Sequence, residues 1–373
     1  VRFIPDQSRL LASLPDGHPA ISHASRLALL GAARAAARNA HAPYSSFHVG
    51  AALRTKAGKI YQGNNTETGS YEGLTCGERG AIMDAITHGE ALAGRKFIEM
   101  LAVSCIRTPS PYAPLMLSEE GRRIANVIEK KLPSMERENF ASLTPGWLEQ
   151  DSVINALSDG SPCGACRQFA NEFSDKDTII LIDDQRDGVL FRMSDLLPVG
   201  FYFGDSATPP KIVQAHDVDA LEARAGIATS PSGLADIAAT IAENLYGGLG
   251  FRRNGAAIVM PDGRAVCGAS AVNSSTGLSI NALRTAVTRA AQKGLIKEFG
   301  NAMIARVAIS FIDAPEEGRR DFAHALQTDI FQEFGNDQTE IIVQDAKGRI
   351  ATTSLKDVLG PVRGIHHSGC CHS

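Results

Sequence analysis

Cys76-Gly77-Glu78-Arg79 is followed, much further along the chain, by Pro162-Cys163-Gly164-Ala165-Cys166-Arg167-Gln168. Three cysteines and a carboxylate in this order could perform a hydrolysis at an amino-substituted ring. Three thiolates can hold a zinc ion and leave a fourth coordination position open to water. A metal so held lowers the pKa of that water, so that hydroxide exists near neutral pH. Glu78 stands two residues after the first cysteine and need not ligate. It can carry the water's proton to the ring nitrogen and then to the departing ammonia. A lone C-x-x-C is a weak signal; joined to C-x-E and a preceding proline it is specific.

Three thiolates on Zn²⁺ leave a net charge of about −1, which weakens the metal as an acid. A positive group donating to the sulfurs would offset this. Arg79 is the first candidate for that role and Arg167 the second. The alternative for Arg79 is a structural ion-pairing residue on its helix, since the matching Arg284 survives later in the chain. A closed structural zinc site would need a fourth protein ligand, and no obvious one is near. His88 falls too far along its helix, and His41 and His48 read as strand-flanking residues. One zinc per chain is therefore expected, on Cys76, Cys163 and Cys166. The His/Cys-rich stretch Ile365 to Ser373 reads as a disordered tail that could bind metal adventitiously.

These side chains need elements to position them. Ser25 to Ala40 and Ser232 to Leu245 read as helices. His48 to Thr55 and Lys59 to Gly63 alternate about a turn at Lys56-Ala57-Gly58, which predicts a hairpin. Cys76 to Thr87 and Cys163 to Phe173 read as helices, the second preceded by Pro162. Strands are predicted within Lys96 to Ile106 and over Thr178 to Ile182. Both cysteine groups thus open helices, where unpaired N–H groups and the helix dipole favour thiolate. Cys163 and Cys166 share one helix face. The fold class is α/β with a mixed sheet.

The chain also repeats itself. Gly50-Ala51-Ala52-Leu53 returns as Gly255-Ala256-Ala257-Ile258, an offset of 205 that also carries Gly58 onto Gly263, Gly63 onto Gly268 and Arg79 onto Arg284. Glu172-Phe173 returns as Glu333-Phe334, an offset of 161. This predicts a duplicated domain. The chemistry is not duplicated: Cys76 falls on Asn281, Glu78 on Leu283, and Cys163 and Cys166 on His324 and Gln327. The first copy carries extra residues within about 107–160, including a helix predicted over Gly121 to Lys131. This insertion could form a lid, an interface element or a surface excursion.

A composition of 44% hydrophobic and 21% charged residues with net charge −4 fits a soluble globular protein. The absence of a long basic block argues against a nucleic-acid substrate. No signal pattern is read at the start, no apolar run would span a membrane, and the irregular cysteines suggest no disulfide framework. A cytoplasmic location is expected. Cys105 and Cys267 read as buried strand residues.

The zinc and proton-carrier residues match the zinc-deaminase pattern H-x-E…P-C-x-x-C with cysteine as first ligand. The chain resembles the cytidine deaminases, in particular the long form with a catalytic domain followed by a degenerate copy. Pro43-Tyr44-Ser45-Ser46-Phe47-His48-Val49-Gly50-Ala51-Ala52 resembles the family's P-Y-S-x-F-x-V-G-A-A segment, Gly63-Asn64-Asn65-Thr66-Glu67 its G-x-N-x-E, and Leu197 to Phe201 its L-P-x-x-F. The resemblance implies a three-layer α/β fold, duplicated. Its parts are an extension over 1–22, a catalytic domain over 23–205, a metal-free domain over 206–362 and a tail over 363–373. It implies that Asn65 and Glu67 hold the ribose 3′-hydroxyl, that Phe47 and Gly77 lie at the pyrimidine, and that Phe201 helps close a site, often a neighbouring subunit's. It implies a homodimer and deamination of cytidine and deoxycytidine in pyrimidine salvage. The chain departs from the pattern at Thr66, Thr68, Gly77 and in its cysteine first ligand. A modified cytosine nucleoside or nucleoside antibiotic is the alternative substrate. A non-catalytic nucleoside binder with structural zinc is a third reading, against which Glu78 argues.

Overall fold

The computed structural model describes residues 4–69, 73–107, 160–201, 215–245, 253–296, 304–313 and 328–359. In the first half, α1 (Gln7–Ala12) and α2 (His23–Ala37) begin on Asp6 and Ser22, whose side chains accept from backbone amides. β1 (Phe47–Thr55) and β2 (Ile60–Asn64) form the hairpin, with Gly58 at φ 86° in its turn. Then follow α3 (Gly77–Thr87), β3 (Ile98–Arg107), α4 (Gly164–Asn171), β4 (Ser174–Ile182), β5 (Val189–Arg192) and α5 (Met193–Leu196). The sheet order is β2-β1-β3-β4-β5. Only β3 and β4 pair in parallel. A parallel pair requires a crossover, and α4, with its two cysteines, ends that crossover.

Residues alternate across the sheet. Ala52, Met100 and Leu181 pack with Leu29 and Leu30 of α2. Ala51, Leu53 and Val103 pack with Ala81 and Ile82 of α3 and Phe169 of α4. Helices therefore cover both faces, in three layers.

The second half repeats this plan after one added helix, α6 (Val218–Ile227). It comprises α7 (Pro231–Glu243), β6 (Asn254–Val259), β7 (Ala265–Ala269), α8 (Ala282–Gln292), β8 (Arg306–Phe311), α9 (Thr328–Phe334), β9 (Glu340–Gln344), β10 (Ile350–Ser354) and α10 (Leu355–Leu359). Its sheet runs β7-β6-β8-β9-β10, the same order. Two of the repeated glycines have a steric reason. A Cβ on Gly63 would lie 2.0 Å from the Ala81 amide, and one on Gly268 2.4 Å from the Ala286 amide. The helix in each copy lies directly on the strand there, and only glycine permits it.

Within the described residues the predicted elements are present, with ends shifted by a few residues. There each copy has five strands rather than four. β5 and β10 were missed because they are short edge strands whose pairing is decided only by β4 and β9. Gln7 binds the β5 edge through Leu190, donating to its carbonyl (3.1 Å) and accepting from its amide (2.8 Å). Cys267 is buried on β7 as expected, whereas Cys105 on β3 is only half-buried. The predicted insertion, His324, Gln327 and the tail lie outside the described residues. No described helix is long and apolar enough to cross a membrane.

The copies meet through α3 and α8, and some of their contacts are reciprocal in the manner of an isologous interface. The Gly69 amide donates to Glu333 Oε2 (3.2 Å), and its equivalent, the Ser274 amide, donates to Glu172 Oε2 (3.0 Å). Asp84 of α3 meets its own equivalent, Arg289 of α8, whose Nε donates to Asp84 Oδ1 at 2.7 Å. Arg289 is 2% exposed and also bonds Glu222 and the Cys267 carbonyl.

Candidate active site

Cys76 and Cys163 are the N-cap residues of α3 and α4, and Cys166 lies one turn into α4. The three sulfurs lie within 4.8 Å of one another. Cys163 is exposed, Cys76 half-buried and Cys166 buried, so the cluster is approached from one side. Among the described residues the group has these three members. Their titration tests the fit of a cation. The Cys163 thiol is driven well down because it accepts from the Cys166 and Cys76 thiols, and those two are driven up by the same sharing. One thiolate forms readily; three together require a positive charge at their centre. Zinc, held by thiolates and leaving one position open, suits this donor set.

Glu78, the second residue of α3, is 4% exposed. Burial pushes its carboxyl up, while a hydrogen bond with the Cys166 thiol opposes the rise. Arg79 Nη2 lies 3.5 Å from Cys76 Sγ, the sulfur contact expected of it. Arg167 is used differently. Its guanidinium donates to the Pro162 carbonyl (2.7 Å), Ser161 Oγ (2.8 Å) and the Leu196 carbonyl (3.0 Å). It ties the segment leading into α4 to the end of α5, and its expected donation to sulfur gives way to these three carbonyl and hydroxyl acceptors. The glycine at 77 has a local reason: a Cβ there would lie 3.1 Å from the Val49 carbonyl, where α3 starts against β1.

Asn65, Thr66 and Glu67 lie beside the cysteines because Thr66 and Thr75 exchange two backbone hydrogen bonds of 2.9 Å. Asn65 Oδ1 accepts from the Val49 amide (2.8 Å) and its Nδ2 donates to the Phe47 carbonyl (2.9 Å). Glu67 accepts from the Tyr44 and Ser45 amides (3.1 and 3.0 Å) and from the Ser45 hydroxyl. Both are buried and brace the 44–49 segment that carries half-buried Phe47. Phe201 is 54% exposed, tied by its backbone to Gln168 of α4.

The second copy adds residues that the sequence did not mark. Glu333 Oε1 accepts from the Tyr44 hydroxyl at 2.7 Å, and Asn273 Nδ2 donates to the Phe169 carbonyl of α4 at 3.3 Å. In that copy the positions of Cys76 and Glu78 serve folding. Asn281, at the Cys76 position, caps α8 by accepting from the Arg284 amide at 2.8 Å. Leu283, at the Glu78 position, is a core residue.

His41 is buried against Phe334 of the second copy, with ring centroids 5.4 Å apart. Burial lowers its pKa to about 4, although Glu67 opposes the shift. Unfolded, the same ring takes up a proton near pH 6.5. The neutral ring therefore contributes its full stability above pH 6.5, and this is lost as pH falls towards 4, on the order of 3 kcal/mol. Urea midpoints across this range should fall more steeply for wild type than for His41→Phe; parallel curves would show that the ring does not stay neutral.

Fold and site together define a hydrolytic deaminase with a cysteine-rich metal centre. Residues 6–96 match the family model described as cytidine and deoxycytidylate deaminase zinc-binding region. A cytidine deaminase of Sporosarcina psychrophila is 41% identical over 136 residues, covering 34% of this chain and 94% of that protein. A probable cytidine deaminase of Dictyostelium discoideum is 28% identical over 156 residues, covering 42% of this chain and 70% of that protein. A crystal structure of cytidine deaminase from Burkholderia pseudomallei, 28% identical, aligns with TM-score 0.30 over 47% of this chain and 98% of that one. The chain belongs to the cytidine deaminase family.

Proposed function

We propose that this enzyme deaminates cytidine and deoxycytidine to uridine and deoxyuridine with release of ammonia, and so serves pyrimidine salvage. The observation that carries this reading is the convergence of Cys76, Cys163 and Cys166 on one point with buried Glu78 beside them. The three cysteines would hold one zinc ion, which when bound supplies a Lewis acid able to lower the pKa of a water. Glu78 takes the proton of the attacking water, delivers it to the ring nitrogen and passes a proton to the leaving amine. Its burial favours the protonated carboxyl that this relay needs midway. Arg79 offsets thiolate charge at Cys76. Phe47 and Gly77 border the pyrimidine.

Asn65 and Glu67 are proposed to read the ribose 3′-hydroxyl. Their bonds to the 44–49 segment support this, because they hold both side chains in one orientation before substrate arrives. Exposed Phe201 and Val199 (89% exposed) support a homodimer in which this segment covers a neighbouring site. The test is ammonia release from a panel of cytosine nucleosides. Cytidine and deoxycytidine should be the best substrates, and 3′-deoxycytidine should lose about 1–3 kcal/mol in kcat/KM. Glu67→Ala should lose much less on the same comparison. Equal losses in both enzymes would remove the sugar-reading role, and preference for a modified base would redirect the substrate.

A further inference from the structure

Arg79 and Arg284 hold equivalent positions in the two copies, yet their side chains act differently. Arg79 reaches the Cys76 sulfur. Arg284 has no such sulfur in its own copy, where Asn281 and Leu283 replace the ligand and the proton carrier. Its guanidinium instead crosses to the catalytic copy, and Nε donates to Thr75 Oγ1 at 2.8 Å. Both residues are buried, at 8% and 0% exposure. A hydrogen bond from a charged donor in such a place is among the stronger kinds. Thr75 is the residue immediately before Cys76.

The two helix starts show why this bond is placed there. An N-cap side chain normally fixes the start of a helix by accepting from its first amides. Asn281 does so for α8. Cys76 makes no side-chain capping bond to α3, and a sulfur committed to a metal is not available for one. The backbone before it is held on one side by Thr66 and, through its hydroxyl, by Arg284. The arrangement is not reciprocal. The position equivalent to Thr75 is Ile280, which has no acceptor, and Arg79 Nε has no hydrogen-bond partner among the described residues.

We propose that Arg284 is a positioning residue for the Cys76 ligand, acting through the Thr75 hydroxyl, and that this is one reason the metal-free copy retains an arginine there. The inference rests on the zinc reading of the three cysteines. It assigns the second copy a task at the metal centre: it holds, from outside, the residue before α3, whose own N-cap side chain makes no capping bond.

The test uses the full chain with cobalt(II) in place of zinc, together with zinc release to a chelator. Thr75→Val keeps the shape and the backbone pairing with Thr66 but removes the acceptor; Thr75→Ser keeps the hydroxyl. Thr75→Val should release zinc about tenfold faster, in the range seen when partners of ligand groups are removed. It should also shift the thiolate-to-cobalt absorption. Thr75→Ser should match wild type in both. Arg284→Lys should resemble Thr75→Val, and the double variant should be no worse than either. A Thr75→Val protein with wild-type absorption and release would overturn the inference while leaving the metal site intact. Wild-type protein without thiolate-to-cobalt absorption would overturn the zinc reading and this inference together.

Discussion

Glu78→Gln is expected to lower turnover by about 10²–10⁴-fold, the usual weight of a general acid–base group, with zinc content unchanged. Glutamine fills the same volume and can still hydrogen-bond, but it cannot take a proton from water and release it to nitrogen. Glu78 is buried at the start of α3, and among the described residues the cysteine cluster includes no other carboxylate. The repeat supplies an internal comparison: where no ligands need a proton carrier, leucine stands at this position and joins the core. Ammonia release in single and multiple turnovers, with zinc measured on the same sample, checks the expectation. Near-normal turnover by a zinc-replete Glu78→Gln enzyme would refute the assigned role.

The second large effect concerns the contact between the copies. Arg289→Met should destabilise the whole chain by about 3–5 kcal/mol, the consequence of leaving buried carboxylates without their cation. Arg289 serves Asp84 of the catalytic copy and Glu222 of its own at once. Burial raises the Asp84 carboxyl, yet Arg289 and His88 hold it below its ordinary range. Removing the guanidinium is expected to loosen α3, whose N-cap is Cys76. Asp84→Asn combined with Arg289→Met should recover part of the loss, because one of the stranded charges is then absent. Urea unfolding read by far-UV circular dichroism and by zinc release should show both signals moving together. An unchanged midpoint for Arg289→Met would mean that the pair is hydrated in solution and does not tie the copies.

The same pair bears on why the second copy remains. Asp84 and Arg289 are equivalent positions meeting across the interface. Two identical copies would bring aspartate against aspartate there, and like charges in contact repel. Aspartate facing arginine makes the junction complementary, so the α3 face of the first copy suits the second copy better than it suits itself. The second copy thus has identifiable structural work: it covers the apolar face of α3, supplies Glu333 and Asn273 near the site, and brings Arg284 to Thr75.

Much of the site was legible in the sequence because its chemistry is local. Cys76 and Glu78 are two residues apart, Cys163 and Cys166 three apart, and Pro162 announces the helix that carries the pair. The duplication was legible because steric necessity preserved its glycines: Gly63 and Gly268 admit no Cβ where a helix lies on a strand. The tertiary structure alone decided the rest. It added the edge strands β5 and β10, whose few residues have no pattern apart from their neighbours. It turned Arg167 to the loop before α4 and to α5, while Arg79, the first candidate, went to sulfur. It also separated the tasks of Arg79 and Arg284. Thr75 and Arg284 are 209 residues apart, and Tyr44 and Glu333 are 289 apart. Periodicity and spacing report what one element can do within a few turns. Which acceptor a long charged side chain finds depends on what another layer places within about 3 Å of it, and that is fixed only when the layers pack.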